Sequence, residues 1–193
     1  MAKKNKIPDF SRKAQRLIKA RPRMVAIESA KFFKDSFVNA GFTDESLRPW
    51  MKHAGPLGGK KILIGGGGGN TMNLMQSIRP LEENEQRVRT GTDVPYSGIH
   101  NDGGVITVTR KMKKFWWAKY YEFAGMTTKT KGGKVSNSAR NRAINAKAEF
   151  CRNMALMRIG AKITIPKRQY LGESKTLFRQ FEDWWKSEVE REE

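Results

Sequence analysis

The chain has 193 residues, of which 38 are Lys or Arg and 19 are Asp or Glu, giving a formal net charge of +19. Its ten Phe, five Trp and four Tyr are enough for a hydrophobic core, which excludes wholesale disorder. No apolar run approaches the roughly 20 residues of a membrane-spanning helix. The single cysteine, Cys151, excludes an internal disulfide framework. The basic start lacks a hydrophobic stretch, so we expect no signal peptide.

The excess positive charge lies in two segments. Residues 1–24 carry nine Lys and Arg against one Asp, and residues 110–172 carry sixteen against two Glu. Charge concentrated in this way is typical of a protein that binds a polyanion or an acidic partner. Nucleic acid and an acidic neighbouring protein therefore both stay open as partners.

The first half of the chain predicts a helix followed by short strands. Residues 1–23 are predicted to be a basic N-terminal arm, in which a short helix is broken or kinked by Pro22. From Met24 to Ala40 apolar residues recur at helical spacing, which predicts a long helix with a Phe-rich buried face. Residues 77–81 and 86–90 flank a polar turn and predict an antiparallel hairpin. A short helical segment then reaches His100.

The second half predicts a helical insertion between two strands. The strands are residues 105–109 and 161–165, and the insertion covers residues 110–158, with Ser136 or Ser138 capping its second helix. The last segment predicts an amphipathic helix. Its predicted buried side comprises Leu177, Phe178, Phe181, Trp184, Trp185 and Val189. The class predicted is α+β, with an antiparallel sheet packed against the long N-terminal helix and the C-terminal helix in a single domain over residues 24–193.

Motifs that invite a chemical interpretation are incomplete. The run Gly65–Gly69 ends in Asn70 and Thr71, without the lysine that a phosphate-binding loop needs. The only histidines, His53 and His100, have no second metal ligand at helical spacing. No serine lies in a nucleophile elbow, and no base accompanies Cys151. We therefore predict no catalytic residues, no metal site and no cofactor.

The segment from Arg110 to Phe123 mixes lysines with aromatic residues. Such a pattern can neutralise phosphates and stack on bases, although packing of the rings within the protein or on a neighbouring subunit is the interpretation that we favour. No sequence-reading motif accompanies the charge. The candidate contacts to DNA or to a protein partner are Arg110, Lys111, Lys113, Lys114, Lys129, Lys131 and Lys134.

Three segments resemble a known family when taken in order. They are AKFFKDSFVNAGFTDESLRPW, then KKILI through NLMQSIRP to VPYSGIHNDGG, and finally ITIPKRQYLGES. Together they resemble the virion-morphogenesis, or tail-completion, family of Mu-like contractile-tailed phages. The matching positions are Trp50, Ile62, Leu63, Ser77, Ile78, Tyr96, His100, Ile165, Pro166, Arg168, Tyr170, Leu171 and Gly172.

This chain also departs from the family pattern. The glycine run replaces a threonine-glycine pair, Tyr170 replaces the usual phenylalanine, and the insertion over residues 110–158 is additional.

The resemblance implies a non-enzymatic protein of the virion neck or tail, assembled in the cytoplasm of the bacterial host. It implies a ring of identical subunits, in the family a hexamer, around the channel through which double-stranded DNA passes. The partners would be the tail tube and head–tail connector proteins, with no membrane. The main alternative is a basic protein that binds nucleic acid non-specifically. An enzyme acting on nucleic acid is disfavoured because clustered carboxylates for metal ions are missing.

Overall fold

The computed structural model describes residues 10–52, 55–57, 62–64 and 74–191. The elements in chain order are α1 (Phe10–Val38), β1 (Gly41–Thr43), β2 (Leu47–Pro49), α2 (Leu74–Ser77), β3 (Arg79–Glu83), β4 (Val88–Gly91), α3 (Ser97–Asp102), β5 (Gly104–Thr107), α4 (Arg110–Gly125), α5 (Ala139–Leu156), β6 (Lys162–Ile165) and α6 (Lys175–Glu190). The α+β class and the antiparallel pairing are confirmed.

The described strands form three separate two-stranded ladders: β1 with β2, β3 with β4, and β5 with β6. The predicted hairpin is present two residues further along the chain, with Arg79 opposite Gly91. Prolines help to keep these ladders small, since proline cannot donate a ladder hydrogen bond. Pro49 is the last residue of β2, Pro80 adjoins the irregularity in β3, and Pro166 follows β6.

Residue contacts divide the chain into two compact units. Among described residues, unit one contains 10–50, 63–64, 74–97 and 169–191, and unit two contains 51–52, 55–57, 62 and 98–168. The predicted boundary after residue 23 falls inside α1, and the single domain over residues 24–193 stays a prediction.

Helix α1 is the scaffold of unit one. It contacts β1, the β3–β4 hairpin and α6, and its buried residues include Ala26, Phe33 and Phe37. The predicted break at Pro22 is not found, because the helix continues through that residue. Burial of the following turns can override the local cost of a proline, as packing against other elements commonly outweighs propensity.

Unit two contains the helical hairpin α4–α5 and the β5–β6 ladder. Thr109 and Ser138 are the N-caps, accepting hydrogen bonds from the amides of Met112 and Asn141 at 3.2 and 3.1 Å. The predicted helical insertion and its Ser138 cap are thus confirmed. Ala148, Cys151 and Ala155 of α5 are buried, whereas α4 has no fully buried side chain.

Candidate functional site

Two motif residues meet in the aromatic core of unit one. The ring of Phe37 lies 5.4 Å from that of Trp50 and 4.9 Å from that of Tyr170, between ring centroids. Trp50 Nε1 donates to the carbonyl of Gln169 at 2.7 Å, and Tyr170 Oη donates to the carbonyl of Ser97 at 2.9 Å. Both side chains are buried, so these residues hold the start and the end of the unit together.

The other motif residues of unit one divide between core and surface. Ser77 is buried, and its hydroxyl lies 2.6 Å from that of Thr92, while Ile78 is fully buried. Leu63 and Leu171 are half-buried and Tyr96 is exposed. Gly172 has a φ of +149°, which an L side chain rarely adopts. These residues shape the chain and form no cluster of reactive groups.

Unit two brings His100 and Arg168 together. The amide of Arg168 donates to the carbonyl of His100 at 2.8 Å, and Arg168 Nε donates to the carbonyl of Met51 at 3.3 Å. Burial lowers the pKa of His100, with the charge of Arg168 as a second cause, and burial also lowers the pKa of Arg168. The lowered pKa favours the neutral form of His100. The guanidinium of Arg168 is buried and donates to a backbone carbonyl, which is typical of a residue that stabilises the fold.

The remaining motif residues of unit two support the β5–β6 ladder or its surroundings. Ile165 pairs with Gly104 and is half-buried, as is Pro166, and Ile62 is buried. The residue next to this pair, Gly103, has a φ of +73°. A Cβ atom at Gly103 would lie 2.8 Å from the amide nitrogen of Lys167, which is backbone and cannot move aside cheaply.

We therefore expect Gly103→Ala to lower the free energy of unfolding by about 2 kcal/mol, through backbone strain and the clash with Lys167. The matched control is Gly98→Ala, because Gly98 lies in α3 and a Cβ atom added there would meet no other atom within 4 Å. That change should be neutral or slightly stabilising. Urea unfolding followed by circular dichroism measures both. Equal changes in the free energy of unfolding for Gly103→Ala and Gly98→Ala would contradict the strain and the clash assigned to Gly103.

The predicted basic contacts separate into two groups in unit two. Arg110, Lys111, Lys113 and Lys114 are in the first turns of α4, whereas Lys129, Lys131 and Lys134 lie in the connection to α5. Sixteen residues of helix span about 24 Å, so the groups lie at opposite ends of α4. Lys113 Nζ donates to the carbonyl of Met157 at 2.7 Å, so this lysine is engaged within the unit.

The predicted buried side of α6 is only partly buried. Leu177 is buried and Phe181 and Trp184 are half-buried, but Phe178, Trp185 and Val189 are exposed by 56%, 36% and 43%. The prediction for these three residues is therefore wrong. The apolar positions form two adjacent stripes around the helix, and the more buried stripe is that of Leu177, Phe181 and Trp184.

The exposed stripe continues into a groove between α6 and α1. This groove has a volume of about 440 Å³ and is mostly apolar. Its lining residues are Arg21, Met24, Val25, Phe178, Phe181, Glu182, Trp184 and Trp185. The face that combines Phe178, Trp185 and Val189 with this groove is called the α6 face below. It is a contiguous apolar surface on unit one, of the kind that marks binding sites.

Comparison with known proteins finds no relative of this chain among protein families, curated proteins or solved structures. Within the described ranges, no group of His, Cys, Asp and Glu is arranged to hold a metal ion. None of the helices in those ranges has the length and apolar character that crossing a membrane requires. The run Gly65–Gly69 and His53 lie outside the described residues.

Proposed function

We propose that this chain is a structural virion-assembly protein that completes or terminates a phage tail and joins it to the head. In this proposal it acts as a hexameric ring around the DNA channel. Its neighbours are copies of itself, the tail tube protein and the head–tail connector. It is assembled in the bacterial host cytoplasm, has no enzymatic activity and acts in the neck or tail of the virion.

The observation that carries this proposal is the α6 face. Phe178, Trp185 and Val189 leave apolar side chains on the surface of a highly charged protein. Surface patches of this kind, next to an apolar groove, are typical of protein–protein interfaces. In a ring each subunit would present such a face to a different surface of the next subunit, and closure of the ring would stop further growth.

The motif residues provide a second argument. Trp50, Ile78, Arg168 and Tyr170 are buried and hold backbone or fill the core. The burial of these positions supports a fold in common with the tail-completion family rather than a reaction centre in common with it. In a structural protein the motif residues need only stabilise the fold, because the surfaces that contact other proteins lie elsewhere on the molecule.

The charge distribution is compatible with a DNA channel. The segment of residues 110–172 carries sixteen Lys and Arg against two Glu. Such a surface would attract passing double-stranded DNA without reading its sequence, or would dock on acidic neighbouring proteins. Weak, salt-dependent contact suits a channel, since tight binding would oppose the passage of DNA.

The test is assembly of the chain when it is purified alone and when it is produced together with tail tube and connector proteins. Light scattering should find complexes at a multiple of 22.0 kDa. The double variant Phe178→Ala and Trp185→Ala should remain folded but lose these complexes, because both side chains are exposed. The matched control is Phe115→Ala, which removes a ring that is 52% exposed on α4.

A chain that stays monomeric under both conditions would overturn the proposal. Equal loss of assembly in the control and in the α6 variant would overturn the role of the α6 face. A monomer that binds any DNA sequence tightly would instead support the alternative, a basic nucleic-acid-binding protein without a role in the virion.

A further inference from the structure

Helix α4 carries a stripe of cations and aromatic rings along one side. Arg110, Lys114, Trp117 and Tyr121 are spaced by four, three and four residues, which aligns them on one face of a helix. The stripe spans about 16 Å along the axis, since each residue rises about 1.5 Å. Its cations come first and its aromatic rings follow.

The aromatic part of the stripe presents a tyrosine ring, held by two neighbouring rings, on which another planar group can stack. The rings of Trp117 and Tyr121 are stacked, with centroids 6.0 Å apart and planes 27° from parallel. Tyr120 packs edge-on against both rings, at 5.7 Å from Trp117 and 5.1 Å from Tyr121. Tyr121 itself is 66% exposed. The neighbouring rings therefore hold a tyrosine at the surface with its outer side in solvent.

The cationic part of the stripe is not neutralised within the described part of the chain. Arg110 and Lys114 are exposed, and no carboxylate there lies within ion-pair distance of either. The nearest acidic residues in the sequence are Asp102, which accepts from Asn101 Nδ2 at 2.8 Å, and Glu122, which pairs with Lys119 at 2.7 Å. A ligand with a negative charge would thus find two cations about 6 Å apart along the axis.

We infer that this stripe is a binding site for single-stranded nucleic acid. Phosphates contact Arg110 and Lys114, and a base stacks on the exposed side of Tyr121, which Trp117 and Tyr120 hold in place. Base stacking on aromatic side chains tolerates any sequence, because every base has a π-face. The inference does not depend on the proposed role in the virion.

A single strand matches the stripe better than the other ligands do. A duplex keeps the faces of its internal bases covered, so it could use the two cations but not the tyrosine. An acidic protein could also pair with the cations, but it would have no planar group at regular spacing for Tyr121. The combination of cations and stacked rings on one face favours the single strand.

The experiment uses the full chain and a fluorescent oligothymidine of about 16 nucleotides, a length within the range that single-strand sites cover. Binding is followed by anisotropy over a series of salt concentrations. A duplex of the same length and an unlabelled polyglutamate serve as competitors. The variants are Tyr121→Ala, Tyr121→Phe and Lys114→Gln, and the control is Lys111→Gln. Lys111 is also exposed on α4 but lies about 60° away from Lys114 and outside the stripe.

We expect the single strand to bind at least about tenfold more tightly than the duplex. Tyr121→Ala should weaken binding about 5- to 150-fold with an unchanged salt slope, while Tyr121→Phe should retain it. Lys114→Gln should reduce the logarithmic salt slope by about 0.7, and Lys111→Gln should leave it unchanged. Because Lys111, Lys114 and Tyr121 are all exposed on α4, circular dichroism should be the same for every variant.

Three results would overturn the inference. One is equal affinity for duplex and single strand together with no effect of Tyr121→Ala, which would mean a diffuse electrostatic surface. Another is an equal change of slope for Lys111→Gln and Lys114→Gln. The third is displacement of the oligonucleotide by polyglutamate as readily as by unlabelled single strand, which would assign the stripe to an acidic protein.

Discussion

Replacement of Tyr170 by alanine is expected to lower the free energy of unfolding by about 3–5 kcal/mol. Tyr170 is fully buried, its ring lies against Phe37, and its hydroxyl donates to the carbonyl of Ser97. Truncation would remove a large ring from the core and would leave the half-buried carbonyl of Ser97 without that donor. Chemical denaturation followed by tryptophan fluorescence measures the loss.

The matched control for this change is Tyr170→Phe. It keeps the ring against Phe37 and removes the hydroxyl that donates to Ser97, so its cost should be about 1 kcal/mol. The same pair of variants also bears on the departure from the family pattern, in which phenylalanine is usual at this position. If Tyr170→Phe were as costly as Tyr170→Ala, the hydroxyl rather than the ring would anchor the unit.

Replacement of Asn141 by alanine should cost about 3 kcal/mol in unit two. This side chain is fully buried, and its amide clamps the connection between α4 and α5. Its Nδ2 donates to the carbonyl oxygens of Thr128 and Ser136 at 2.9 and 2.8 Å, and its Oδ1 accepts from the amide of Thr128 at 3.2 Å. Alanine would leave all three backbone groups without these partners.

The control for Asn141 lies one turn further along α5. Asn145 is exposed, so Asn145→Ala removes the same kind of side chain without a buried network and should be neutral or slightly stabilising. Thermal unfolding of the two variants, with hydrogen exchange of residues 126–138, gives the comparison. If hydrogen-exchange protection of residues 126–138 were unchanged in Asn141→Ala, the side chain of Asn141 would not be what holds the connection between α4 and α5.

Local sequence signals were enough to predict several elements. The predicted cap at Ser138 matches the start of α5, apolar spacing predicted the presence of α6, and β5 and β6 were each identified from a short run of β-branched residues. These signals are sufficient because capping and periodicity act within one or two turns of chain. The resemblance also singled out Trp50 and Tyr170, which meet around Phe37 although they are far apart in sequence.

Other features depend on what a side chain meets in space. Periodicity could not tell that Phe178, Trp185 and Val189 would be exposed, since the width of the partner surface on α1 sets how much of α6 is covered. Nor could it place the terminal amine of Lys113 on the carbonyl of Met157. The Asn141 network gave no signal in the sequence, because an asparagine near a helix start more often caps or faces solvent.

The candidate surfaces were predicted in part. The lysines and rings of α4 stood out by composition, but their arrangement required the helix register and the exposures of individual side chains. Of the predicted cations, Arg110 and Lys114 lie on the stripe with Trp117 and Tyr121, and Lys129, Lys131 and Lys134 lie at the other end of the helix. Helix bounds correct to within two residues were therefore needed before the stripe could be defined.

The central claim, that this chain is a subunit of a virion ring, is tested most directly by electron cryo-microscopy of the phage particles that form in cells producing it. We expect density for a closed ring of this chain at the end of the tail or at its junction with the head, around the DNA channel. In that ring the exposed residues Phe178, Trp185 and Val189 should contact an adjacent protein. Particles that are complete without this chain, or a ring in which the α6 face points into solvent, would contradict the account.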